Sequence, residues 1–147
     1  MPRIAVDYED DFYAWTMEQA RLLRSGELSK IDALNVAEEI ESAGRQDRRE
    51  LGHRLIRLIA ELLKWGCEPG ARCGNWRSSI LSQRFEIAQI LKDSPSLRQF
   101  ASGRLGETYS DARERMIEEL GLLQPDFPAE SSFTLEQILS EDFLPEG

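Results

Sequence analysis

The chain has 147 residues, 27 acidic and 18 basic, with a formal charge of −9; 41% of its residues are hydrophobic and 31% are charged. That length fits one domain and can bury a core without disulfide or metal staples, since chains of this size hide roughly 70% of their unfolded surface. A negative field repels phosphate backbones and anionic lipid, so nucleic acid is an unfavourable partner, and no apolar run approaches the ~20 residues that span a bilayer.

The opening stretch MPRIAVDYEDDF is too acidic for a secretion signal, and a cytoplasmic location is expected. Cys67 and Cys73 have five residues between them and no matching pair elsewhere. This is not a zinc signature, and two thiols are expected in a reducing compartment, with a disulfide closing the loop between them as the alternative under oxidation. The longest basic concentration, Arg45, Arg48, Arg49, Arg54 and Arg57, is interleaved with Asp47, Glu50 and Glu61, which reads as a solvated helix face.

In chain order, Asp7 is expected to cap a first helix beginning near Tyr8, with Tyr8, Phe12, Trp15, Leu22 and Leu23 as its apolar stripe and Gly26 as its C-terminal cap. Asp32 caps a short second helix with Leu34, Ala37 and Ile40 inward, ending or bending at Gly44. A third helix follows from about Arg45 to Trp65 on Leu51, Leu55, Leu58, Ile59 and Leu62, widened by Ile56 and Leu63. Gly52 interrupts it at a cost of about 1 kcal/mol relative to Ala, and a close helix crossing is the expected reason. Gly66, Pro69, Gly70 and Gly74 define a central loop.

Asn75 is the natural cap of a fourth helix striped by Trp76, Ile80, Ile87, Ile90 and Leu91, with Phe85 and Ala88 on a flank. Ser94-Pro95 restarts the chain into a fifth helix on Leu97, Ala101, Leu105, Tyr109, Ala112, Met116 and Leu120, where Gly103 and Gly106 allow a break and Gly121 is the stop. After Pro125, Phe127 and Pro128, Thr134 and Gln137 form a capping box for a last short helix of Leu135, Ile138 and Leu139, with Phe143 and Leu144 packing back. With no strand candidate and no internal linker, the expected architecture is all-α: a single-domain bundle of five main helices and a short C-terminal one, residues 1–147.

The words DFYAWTMEQARLLRSG, NVAEEIESAG, LLKW, NWRSSILSQR, SPSL and FTLEQILSEDFLP, in that order, resemble the uncharacterised bacterial family catalogued as domain of unknown function 29. The resemblance runs nearly end to end and implies an almost wholly helical domain, with no activity attached. Where that family usually has a histidine before its lysine, this chain has Glu61, and where its tail often carries Cys-Pro, Ser131 and Ser132 stand here.

Chemically able side chains concentrate between Leu62 and Leu97. Trp65 and Trp76 bracket the central turn, with Lys64, Arg77, Gln83 and Arg84 beside them. The free N–H groups of a helix start and these cations can hold a small carboxylate or phosphate; the competing reading is a structural corner with both indoles in the core. Glu38 and Glu41 share a helix face. With Glu61 they form a candidate oxygen site of magnesium or manganese type, or they pair with arginines such as Arg45, Arg48 or Arg84. Glu38, Glu41, Lys64 and Arg84 can also converge as a buried ionic network. Glu50 and His53 form one E-x-x-H pair, but a single histidine cannot build a di-metal carboxylate centre.

Ser78, Ser79 and Ser82 have no histidine partner, and no phosphate-binding glycine loop occurs. No metal, cofactor or enzyme class is assigned. The leading expectation is a non-enzymatic helical module that binds another protein or itself. The alternative is a small-ligand, anion or divalent-metal site between the EEIE segment and the Trp65–Trp76 turn, formed by Glu38, Glu41, Glu61, Lys64, Trp65, Trp76, Arg77, Gln83 and Arg84.

Overall fold

The computed structural model describes residues 6–68, 70, 72–120, 128 and 130–145, and of Leu120 the backbone alone. All regular structure among them is helical: α1 (Phe12–Ser25), a 3-10 turn (Leu28–Lys30), α2 (Ala33–Cys67), α3 (Gly74–Asp93), α4 (Leu97–Gly103), α5 (Leu105–Leu120) and α6 (Leu135–Leu139). The chain is all-α. The expected breaker Pro69, the stop at Gly121, and Pro125 and Phe127 lie outside the described residues, as does the Leu120 side chain. The chain divides into two compact units, Met1–Gln46 and Asp47–Gly147.

In the first unit the helix begins later than the sequence indicates. Asp7 closes a turn, its carbonyl accepting from the N–H groups of Asp10 and Asp11, and Asp11 is the N-cap of α1, taking the Ala14 N–H at 3.0 Å. Gly26 ends α1 as expected. At φ 77° it adopts the left-handed conformation that glycine tolerates best, and Glu27 and Gly26 donate back to the Leu22 and Leu23 carbonyls, the paired bonds of a Schellman cap.

Asp32 then joins the two helices of this unit. One carboxylate oxygen accepts from the Asn35 side-chain amide at 2.9 Å and the Trp15 indole at 3.1 Å, and the Asp32 N–H donates to Gln19 Oε1 at 2.8 Å. Tyr8 packs edge-on against Phe12 and Trp15 and donates its hydroxyl proton to Glu39. That acceptor pushes the Tyr8 phenol up to about 12.

These bonds turn the first turns of α2 over. Asn35, Val36, Glu39 and Ser42 are half-buried, whereas Leu34 is 87% exposed and Ile40 68%, with Ala37 also outside. The expected inward stripe of Leu34, Ala37 and Ile40 is therefore the outward one. Phe12 and Leu23 of the expected α1 stripe are exposed too.

The expected boundary at Gly44 does not exist: α2 runs through Gly44 and Gly52 without interruption. A glycine costs about 1 kcal/mol in a helix interior, too little to stop a helix whose later turns are held by tertiary packing. Nor does a close crossing explain Gly52, because a Cβ built there meets nothing within 4 Å. The close approach is at Gly66 instead, where a Cβ would lie 3.4 Å from the Pro145 ring.

The second unit is built on the α2 seam Leu51, Leu55, Leu58, Ile59, Leu62 and Leu63, all fully or nearly fully buried. Ile80 and Ile87 of α3 pack against it, as do Ala101 of α4, Tyr109, Ala112 and Met116 of α5, and Leu135 and Ile138 of α6. The fifth expected helix is two: it breaks at Arg104, yet its apolar stripe continues across the break into one core. Asn75 does not cap α3, which starts at Gly74 from Cys73 without a side-chain cap, and α4 starts at Leu97 rather than at Pro95. The Thr134–Gln137 capping box is complete in both directions, Phe143 packs on Phe133, and Leu144 rests against the core. Tyr109 ties the tail down by donating to the Pro128 carbonyl at 2.8 Å.

Two expectations follow. Gly44→Ala and Gly52→Ala each stabilise the protein by about 0.5–1 kcal/mol, seen as a raised midpoint in thermal unfolding followed by circular dichroism. The second concerns acid. The Asn35 amide, then the Trp15 indole, hold the Asp32 carboxyl below its ordinary value of 3.8, and Lys30 with Ser25 hold Glu27 down at about 2. Depressed carboxyl groups stabilise the folded form above their unfolded values and stop doing so as pH falls through the folded ones. Trp15 fluorescence, isolated in a Trp65→Phe/Trp76→Phe background, is therefore expected to hold from neutral pH to about 4.5 and to change between there and about 2.

Candidate functional site

The heptad-like spacing of Arg57, Glu61 and Lys64 puts these three side chains on one face of α2. In the second unit they meet Trp76, in the first turn of α3, and Arg115 and Glu119, one turn apart on α5. Together with Ala60 and Met116 they line a cleft of about 350 Å³. Ala60 and Met116 are buried and form an apolar floor.

The charges are interlocked. The Lys64 ammonium lies 4.5 Å from the centre of the Trp76 ring and 3.6 Å from Glu119 Oε1, so the indole face holds a cation rather than a second ring. Glu61 Oε1 accepts from the Ser79 hydroxyl at 2.6 Å and from Arg57 Nε at 3.4 Å. Glu61 Oε2 is buried and has no hydrogen-bond donor among the described residues. Three cations face two carboxylates, a surplus of one positive charge in a chain of net charge −9.

The expected cluster is thus divided. Glu61, Lys64 and Trp76 come together in the cleft. Glu38 and Glu41 belong to the first unit, exposed, with Arg45 at 2.8 and 3.5 Å as their partner. Trp65 carries the Arg72 guanidinium over its ring, and the Trp65 carbonyl accepts from Arg72 Nε at 2.8 Å. Gln83 is buried and accepts from Arg54 at 3.3 Å. Arg77 and Arg84 line a smaller pocket of about 120 Å³ with Glu141 and Asp142.

Arg84 is the most deeply buried charge described, at 3% exposure. It donates from Nε to the Ile138 carbonyl at 2.8 Å and from Nη2 to the Gln137 carbonyl at 3.4 Å. Rather than pairing with Glu38 or Glu41, it therefore satisfies the Ile138 carbonyl at the C-terminal end of α6 and shares the Gln137 carbonyl with the Ser140 N–H. The Arg84 Nη1 is buried with no acceptor among the described residues. Burial pulls its pKa below the ordinary arginine value, against the opposing charge of Glu141. Arginine stays protonated all the same.

Arg57, Arg115 and Glu119 did not stand out in the sequence as site residues. Arg57 had a readable signal in its spacing to Glu61 and Lys64. Arg115 and Glu119 had none, because only folding brings α5 to α2. His53 is exposed, Glu50 pairs with Arg54 at 3.1 Å, and no group of three or more potential metal ligands occurs among the described residues. Cys67 and Cys73 are exposed thiols. No helix among the described residues is long and apolar enough to cross a membrane.

Fold and site define an all-α protein with a charged cleft lined from three helices. The chain belongs to the family described as Domain of unknown function DUF29, whose model matches residues 8–144. No curated protein and no solved structure matches it.

Replacing Arg84 by Met keeps length and bulk while removing every donor. The Ile138 carbonyl then loses its charged partner at a cost of about 2 kcal/mol. The expected result is a lower unfolding midpoint together with faster amide hydrogen exchange confined to α6 and its flanks.

Proposed function

We propose that this protein is a non-enzymatic interaction module whose first unit docks an amphipathic helix of another protein, one with lysine or arginine beside its apolar face. The observation that carries this reading is the inverted first stretch of α2, with Asn35, Glu39 and Ser42 half-buried and Leu34, Ala37 and Ile40 turned to solvent. Nine large hydrophobic residues are exposed among the described ones, and Phe12, Tyr13, Met17, Leu23, Leu28, Leu34 and Ile40 all fall in the first unit. Against them, Trp15 and Leu22 are its buried large apolar side chains.

A unit with so little core gains stability by covering apolar surface, and exposed apolar groups gathered in one small region mark interaction sites. Charge selects the kind of partner. Residues 1–46 hold ten acidic and five basic side chains, so a second copy would bring like charge to the rim. A basic-flanked helix brings complementary charge and speeds encounter.

The test uses the full chain and Leu34→Asp/Ile40→Asp, with circular dichroism checking that both are equally helical. Cross-linking of the wild type is expected to map to an amphipathic, basic-flanked helix in a partner. Raised salt weakens the capture, and the double variant loses it, while light scattering finds the isolated protein monomeric. Capture undiminished in the double variant, or self-association abolished by it, overturns the proposal.

A further inference from the structure

The cleft of the second unit has two open valences. Arg57 is matched to Glu61 and Lys64 to Glu119, which leaves Arg115 as the cation of the lining with no partner among the described residues. Glu61 Oε2 is likewise an acceptor without a donor. A hydrogen bond left unmade at a buried carboxylate oxygen is costly, so Glu61, whose Oε2 is closed to solvent but whose side chain lines the cleft, gains by turning that carboxylate toward a donor that enters. The guanidinium of Arg115, with five N–H donors in a planar fork, suits a carboxylate.

From this pairing of one surplus cation with one surplus acceptor we infer that the cleft binds a small zwitterion, an amino acid or amino-acid-like molecule. Its carboxylate meets Arg115, its ammonium meets Glu61, and its side chain lies toward Ala60 and Met116. The volume of about 350 Å³ stands at the small end of ligand cavities, which run roughly 300–1,000 Å³.

The same lining argues against a phosphate. A dianion would meet the carboxylates of Glu61 and Glu119 with a single unmatched cation to compensate. A simple carboxylic acid satisfies Arg115 and leaves Glu61 Oε2 as it was. Both halves of the zwitterion are needed to complete the site. This inference is independent of the docking proposed for the first unit, because every lining residue belongs to the second.

The experiment titrates the full-length protein with each free L-amino acid in turn. Inorganic phosphate and the deaminated acid of the best ligand are the controls. Binding is read by calorimetry and by the indole N–H resonance of Trp76, assigned through Trp76→Phe. At least one amino acid is expected to bind saturably and shift that resonance, with affinity about tenfold above its deaminated analogue and above phosphate.

Arg115→Ala and Glu61→Gln are each expected to lower the affinity about tenfold, the value of one charge-assisted hydrogen bond. Arg115 is exposed, so Arg115→Ala keeps the test valid if Glu61→Gln fails to fold. Phosphate binding as tightly as any amino acid, an unchanged affinity in Arg115→Ala, or no saturable amino-acid binding overturns the inference.

Discussion

Burial of the apolar seam that α2 presents between Leu51 and Leu63 is the interaction on which the second unit depends. Six side chains of that seam are lost from solvent almost completely, and each of the four later helices contributes at least one residue to the cover. At about 25 cal/mol per Å² of apolar surface, no hydrogen bond or ion pair in this unit approaches the seam in weight. It also sets the positions of the polar groups. With Leu58, Ile59 and Leu62 inward, Arg57, Glu61 and Lys64 stand at the border of the buried face, where α5 and the start of α3 close over them.

Charge is handled differently in the two units. In the first, Asp32 and Glu39 face inward and take the indole, amide and phenol donors of their neighbours. Carboxylates then do the joining that apolar side chains do elsewhere, and the apolar side chains of the same helix are left outside. In the second, a guanidinium, Arg84, goes deep and finds backbone carbonyls. Through its Nε and Nη2 it fixes the register of α6 against α3, since sliding by one residue would strand those donors as Nη1 already is.

The legible parts of the sequence were those with short-range causes. The seam of α2 follows from spacing within one helix. The Schellman end at Gly26 and the capping box of Thr134 and Gln137 involve residues at most a few positions apart. Gly44 and Gly52 misled because a glycine signal has the same appearance whether or not a helix is held by packing further along. Ser94-Pro95 and Asn75 misled because good capping residues were available and the chain used neighbouring positions instead.

By itself, the sequence determined that this protein is helical, that the Leu51–Leu63 stripe of α2 becomes core, where α1 ends and how α6 is capped; all of these are decided within a few turns of one helix. Tertiary structure alone decided that Leu34 and Ile40 face outward, because the preference of Asp32 for the Trp15 donor on α1 and of Glu39 for the Tyr8 donor ahead of it outweighed the apolar pattern. It alone decided that Arg115 and Glu119 join Glu61 and Lys64, more than 50 positions away. Such meetings depend on how the helices pack, and periodicity along one helix holds no record of its neighbour.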